Sequence, residues 1–99
     1  MHFLKIHRSY RNVVAVCEKE LLGKKFEEGK RQLDIRESFY KDRELDKEAL
    51  RKLMIMQKME DATFNIVGIE SVSLALEEGI ITENCVGKVD GVPFALLLL

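Results

Sequence analysis

The sequence has few of the features that mark secreted, membrane or disulfide-stabilised proteins. Only two of its 99 residues are cysteines, Cys17 and Cys85, so a disulfide framework is excluded and both thiols are expected to stay free and buried in a reducing compartment. The longest apolar run, residues 92–99, is far shorter than the roughly 20 residues that a membrane-spanning helix needs. Charged residues interrupt the start of the chain where a secretory signal needs an apolar run, so we predict a cytoplasmic protein.

Motifs for phosphate and metal binding are also missing. The six glycines are scattered singly, which excludes a glycine-rich phosphate-binding loop. Zinc needs about four soft ligands, but His2, His7, Cys17 and Cys85 lack the paired spacings of zinc sites. His2 and His7 are five residues apart, so in one strand they would point to opposite faces. We therefore predict no metal, no cofactor and no catalytic residue, with a Cys17–His7 pair across a hairpin as the catalytic alternative.

Hydrophobic patterning predicts a β-hairpin at each end of the chain. Residues 4–7 alternate between polar and apolar, and the β-branched run 13–16 follows a polar loop over residues 9–12. The second of these strands is the more apolar, so we expect it in the interior of a sheet. Near the other end, Asp90-Gly91 lies between two β-like runs, which is typical of a type I′ turn. The last apolar run reaches Leu99, so its strand should be central in the sheet or covered by a partner.

Two helices are predicted in the second half of the chain. The first begins after the N-cap Asp46, and Met54, Met56 and Met59 recur in it at helical spacing. Methionines in such a pattern fill a core more often than they line a binding groove, although an adaptable groove is the alternative. The second helix follows a short strand and is expected to end at Gly79.

The glycine before the second helix, Gly68, lies where unpaired N–H groups at a helix N-terminus could bind an anion. The alternative is a turn glycine that only links strand to helix. Between the first hairpin and the first helix, we expect short helical turns over residues 18–29, a strand over 32–36 that residues 38–40 extend, and a loop over 41–44.

These elements predict one α+β domain over residues 1–99. We expect a mixed, mainly antiparallel sheet with N- and C-terminal hairpins and two helices packed on it. A chain of this length is expected to bury one hydrophobic core and not two.

The balanced total charge hides an asymmetry along the chain. Residues 1–58 carry a net charge of +5 and residues 59–99 a net charge of −6, which together give the −1 of the whole chain. If the two parts occupy different faces, one face attracts polyanions and the other repels them.

The first hairpin combines cations with an aromatic side chain. Its candidate nucleic-acid-binding residues are Lys5, His7, Arg8, Tyr10 and Arg11, and the first 17 residues contain no acid. Cations bind phosphate and tyrosine can stack on a base, so our leading hypothesis is a binding module for RNA or a ribonucleoprotein. The alternative for these residues is an ordinary exposed hairpin, because three cations are few for tight binding.

The apolar C-terminal strand supports a second hypothesis. Phe94, Leu96 and Leu98 would form the interface of a protein-interaction or homo-oligomeric domain. A third hypothesis is an enzyme in which Cys17 acts with a histidine.

Short motifs along most of the chain resemble those of one protein family. They are Cys17-Glu18-Lys19-Glu20-Leu21-Leu22-Gly23-Lys24, Phe26-Glu27-Glu28-Gly29, Phe39-Tyr40, Asn65-Ile66-Val67-Gly68, Ser71-Val72 with Ala75, Glu78-Gly79-Ile80-Ile81 and Gly91-Val92-Pro93. In these motifs and their order the chain resembles a small archaeal family known as domain of unknown function 424. The resemblance implies an archaeal cytoplasmic origin and a compact α+β fold, and it implies no catalytic residue because no activity is assigned to the family. The family has a histidine and then a polar residue after Gly-Val-Pro, where this chain has Phe94 and Leu96.

Overall fold

The computed structural model describes residues 1–98, and its central feature is a six-stranded sheet. The strands of the described residues are β1 (His2–His7), β2 (Val13–Glu18), β3 (Lys25–Glu28), β4 (Arg31–Asp34), β5 (Arg43–Leu45), β6 (Thr63–Val67), β7 (Val86–Val89) and β8 (Val92–Leu97). The order across the large sheet is β5-β1-β2-β6-β8-β7, and β3 and β4 form a separate two-stranded sheet. Among the strands of the described residues, only β2 and β6 pair in parallel within this sheet. The predicted mixed, mainly antiparallel sheet of an α+β fold is therefore confirmed.

Both predicted terminal hairpins are present. β1 pairs with β2, and β7 pairs with β8 around a turn in which Asp90 and Gly91 have φ angles of 51° and 76°. Two successive positive φ angles are what a type I′ turn requires. Strand β8 lies between β6 and β7, so the last strand is central, which was one of its two predicted placements. Leu99, the final residue of the predicted apolar strand, lies outside the described residues.

Two helices cover one face of the sheet. They are α2 (Lys47–Met59) and α3 (Ile69–Glu77), preceded in the chain by the single helical turn α1 (Glu37–Tyr40). The Asp46 carboxylate accepts a hydrogen bond from the Ala49 backbone N–H at 2.8 Å, which confirms the predicted N-cap. The buried cluster between these helices and the sheet contains Leu4, Val14, Val16, Leu50, Met54, Ala62, Phe64, Ile66, Val72, Leu74, Ala75, Ile80, Ile81 and Ala95. No helix of the described residues combines the length and hydrophobicity needed to cross a membrane.

The opposite face of the sheet carries a second buried cluster, so the expectation of a single core is wrong. Its buried members are Phe3, Ala15, Cys17, Ile35, Tyr40 and Val67. They come from the sheet and from the segment that holds the β3–β4 hairpin and α1. Strand β2 is buried on both sides, because alternate residues of one strand point to opposite faces. A chain of 99 residues can fill two clusters because each is thin and both share the same strands.

The segment before α2 differs from its prediction. A 3-10 turn at Lys19–Leu21 fits the expected short helical turn, but β3 follows it instead of a second turn. Residues 38–40, predicted to extend a strand, lie in α1, and the predicted loop over 41–44 contains the start of β5. These elements form through pairing with distant parts of the chain, such as β5 with β1, which local patterning does not reveal.

Candidate functional site

The loop between β1 and β2 presents an aromatic side chain between two cations. Arg8, Tyr10 and Arg11 are all exposed, and Tyr10 is fully so, at 102% of its reference accessibility. The Arg11 guanidinium donates a hydrogen bond to the backbone carbonyl of Asp61 at 3.2 Å, which orients it without neutralising its charge. Three of the five predicted nucleic-acid-binding residues are therefore together on one exposed loop.

The other two predicted binding residues hold α1 against the sheet. The Lys5 ammonium donates to the carbonyl of Ser38 at 2.8 Å, and His7 Nε2 donates to the carbonyl of Phe39 at 2.8 Å. The His7 ring also stacks on Phe39, with ring centroids 4.4 Å apart. Sequence reasoning missed this role because both partners lie more than 30 residues away in the chain.

The three residues of the predicted apolar interface differ in exposure. Phe94 is half-buried beside the second cluster, with the Arg31 guanidinium 5.7 Å from its ring centroid. Leu96 and Leu98 are 43% and 76% exposed. Of the three, only the two leucines are classed as exposed.

The two groups of the proposed Cys17–His7 pair lie at opposite ends of the first hairpin. Cys17 is opposite Phe3, whereas His7 is opposite Val13, so the pair is wrong. Cys17 is fully buried, and burial, together with the carboxylates of Glu18 and Glu20, raises the pKa of its thiol to about 12. A thiol with so high a pKa is almost entirely protonated at neutral pH and is a poor nucleophile.

The other candidate ligands also lie apart. His2 contacts α3 and His7 contacts α1, so the two histidines lie on opposite faces of the sheet, as their spacing predicts. Within residues 1–98, no group of three or more His, Cys, Asp or Glu side chains is arranged to hold a metal ion.

The helix N-terminus after Gly68 is occupied by a carboxylate of the chain itself. Glu18 Oε2, at the end of β2, accepts a hydrogen bond from the Ser71 backbone N–H at 3.1 Å. The anion site predicted at Gly68 is therefore filled internally. Burial raises the pKa of the Glu18 carboxyl, and the N–H groups of Ser71 and Glu70 together with the Ser71 hydroxyl oppose that rise.

A histidine joins this carboxylate and hydroxyl, which sequence reasoning did not anticipate. His2 is opposite Glu18 in the β1–β2 pairing, and its Nδ1 lies 2.9 Å from Ser71 Oγ. All three residues are nine-tenths buried or more. The register of the first hairpin would have placed His2 opposite Glu18. The sequence does not fix that register, because a polar loop of this kind allows more than one pairing of the two strands.

This buried polar cluster lies beside a cavity of about 290 Å³. The cavity is at the N-terminal ends of α2 and α3, and its wall includes His2, Asp46, Ile69 and Glu70. No other histidine lines it. A shielded imidazole that lines an open space can form a hydrogen bond with a bound molecule.

Comparison with known proteins places the chain in a family. The family described as "Protein of unknown function (DUF424)" matches residues 7–99, and no curated protein matches. The structure is similar to the crystal structure of an uncharacterized conserved protein from Methanopyrus kandleri, with a TM-score of 0.80 and 25% sequence identity over 97% of this chain and 89% of that chain. The resemblance carried by the sequence motifs is confirmed: the chain belongs to the DUF424 family of proteins of unknown function.

Proposed function

We propose that this protein binds RNA, free or within a ribonucleoprotein, through the loop between β1 and β2. The observation that supports this best is the complete exposure of Tyr10 between Arg8 and Arg11. An aromatic ring held in water gains nothing from burial in the fold, whereas a base stacked on it contributes about 1–3 kcal/mol.

The cations of the loop and of the adjoining strand β1 keep their charge available. Within residues 1–98, no carboxylate lies within ion-pairing distance of Lys5, Arg8 or Arg11. Lys5 and Arg11 instead donate to backbone carbonyls. By contrast, Lys25 pairs with Glu27 at 3.8 Å and Arg36 pairs with Asp34 at 2.9 Å. Unpaired cations release the counterions of a polyanion on binding, which favours association at low salt.

A titration with a single-stranded oligouridylate tests the proposal. We expect affinity to fall steeply as salt rises, and to fall about tenfold or more in the Arg8→Ala/Tyr10→Ala/Arg11→Ala variant, because stacking and two phosphate contacts are lost together. Fluorescence anisotropy of the labelled oligonucleotide measures both effects.

The matched control removes two cations elsewhere. Lys25→Ala/Lys30→Ala changes the net charge by the same amount on the β3–β4 hairpin. We expect this control to bind within about twofold of the unchanged protein, apart from the long-range effect of net charge. Equal losses in the two variants, or binding that does not respond to salt, would rule out a specific role for the loop.

A second candidate function is self-association through β8. Leu96 near the end of β8 and Leu98 just after it are both exposed, so they place two large apolar side chains close together at the surface. Sedimentation across a concentration series should show a dimer that Leu96→Ser/Leu98→Ser abolishes. A monomer at every concentration would dispose of this candidate.

A further inference from the structure

The cavity beside α3 is lined by a buried histidine, one of whose ring nitrogens has no partner within the described part of the fold. His2 lines the cavity and is only 4% exposed, and its Nδ1 is bonded to Ser71. No fully buried side-chain nitrogen or oxygen of the described residues lacks a hydrogen-bond partner. The second ring nitrogen, Nε2, has no partner in that part of the fold and therefore is not fully buried. We infer that it is accessible from the cavity.

The hydrogen atoms of the polar cluster can be assigned from its charges. Burial and the nearby amino group of Met1 lower the pKa of His2, so its ring is neutral at pH 7. The single Ser71 hydroxyl proton is best used by the Glu18 carboxylate, because hydrogen bonds to a charged acceptor are the stronger ones. Ser71 Oγ then accepts from His2 Nδ1–H, which leaves a bare lone pair on Nε2. His2 thus offers the cavity an acceptor and not a donor.

The charged groups around the cavity are mainly acidic. Asp46, Glu70 and Glu77 line it, and Lys47 and the α-amino group of Met1 oppose them. Asp46 caps α2, and Glu77 lies 3.5 Å from the Arg51 guanidinium. Glu70 has neither a side-chain hydrogen bond nor an ion pair within the described part of the chain, so its carboxylate is available to a ligand.

The remaining wall is apolar apart from Ser73. Ile69 and Leu74 of α3 and the side chain of Met1 contribute to it, and Ile69 is 65% exposed. A volume of about 290 Å³ is at the lower end of the range for small-molecule pockets. The space suits a ligand of a few heavy atoms with a hydrocarbon body.

We propose that this cavity binds a primary ammonium group carried on a short apolar chain. One N–H of the ammonium would donate to His2 Nε2 and another to the Glu70 carboxylate, while the hydrocarbon chain packs against Ile69 and Leu74. Such a group occurs in free alkylamines and in the side chain of lysine. The site would recognise the ammonium and the hydrocarbon chain that both contain.

NMR titration of the full chain tests this site. Pentylammonium should shift the His2 imidazole resonances saturably, and 1-pentanol and pentanoate should bind at least about tenfold more weakly, because they lack the cation. His7, on the opposite face of the sheet, is an internal reference whose ring resonances should not move. The same spectra report the His2 tautomer, which we expect to carry its proton on Nδ1.

Two variants separate the site from general charge effects. Glu70 is exposed, so the Glu70→Gln variant should fold normally. We expect this variant to bind pentylammonium about tenfold more weakly. Glu83→Gln makes the same charge change in a turn that does not line the cavity, and it should bind as the unchanged protein does.

Several results would overturn the proposal: equal binding of pentanoate, no saturable shift at His2, a proton on Nε2, or equal weakening by the two variants. Tighter binding of Nα-acetyl-lysine N-methylamide than of pentylammonium would identify a lysine side chain as the source, and the reverse order a free amine. Either order supports an ammonium site.

Discussion

Gly68→Ala is expected to lower the free energy of unfolding by about 4 kcal/mol, which combines backbone strain with steric overlap. Gly68 has φ 112° and ψ 153°, a conformation that is almost restricted to glycine. A β-carbon on Gly68 would also overlap the carboxylate of Glu18. That carboxylate is buried and hydrogen-bonded to α3, so it cannot simply swing into solvent. Urea denaturation followed by circular dichroism measures the loss.

Gly79→Ala is the matched control for backbone strain alone. Gly79 also has a positive φ, 71°, but a β-carbon there would meet no atom within 4 Å. We expect a cost of about 1 kcal/mol for the left-handed conformation. The double variant Gly68→Ala/Glu18→Ala should be no less stable than Gly68→Ala, because removing the carboxylate relieves the overlap. If Gly68→Ala and Gly79→Ala cost the same, the close packing of Glu18 on Gly68 is not important for stability.

Met54→Ala is expected to cost about 3 kcal/mol, whereas Met59→Ala should change stability by less than about 0.5 kcal/mol. Met54 is fully buried between α2 and the sheet, so truncation leaves a cavity. Met59 lies in the same helix but is 79% exposed. Midpoints of urea unfolding for the two variants give the comparison directly.

Similar losses in the two methionine variants would mean that the outer side of α2 is covered in solution. Met56, at 59% exposure, is the third member of the predicted stripe. The prediction that methionines at helical spacing fill a core therefore applies to Met54 and fails for Met56 and Met59. Spacing alone did not separate them, because all three residues fit the same broad helical pattern.

Elements with a strong local signal were predictable from the sequence. The Asp90-Gly91 turn, the Asp46 cap and the strand ending before Gly68 depend on residue types that act within a few positions. Helix α1 and strand β5 were not predictable in this way. Strand β5 has only three residues and exists through its pairing with β1, so its signal lies in the partner strand.

The two candidate sites also differ in whether their residues are close together in the sequence. The exposed loop with Tyr10 follows from a polar break between two strands, and its residues are neighbours in the chain. The cluster of His2, Glu18 and Ser71 joins three separate parts of the chain, 69 positions apart at the extremes. Its formation needs the hairpin register and the docking of α3, neither of which the residues themselves specify.

The parallel contact between β2 and β6 has a consequence for how the protein forms during synthesis. These strands are neighbours in the sheet, yet residues 19–62 separate them in the chain. When the first hairpin has emerged from the ribosome, the free edge of β2 stays unpaired until β6 has been synthesised. The free edge of β6 then stays unpaired until β8 follows. Contacts of such long range slow folding and prolong the exposure of apolar strands. A half-translated chain would therefore be the form most in need of a chaperone.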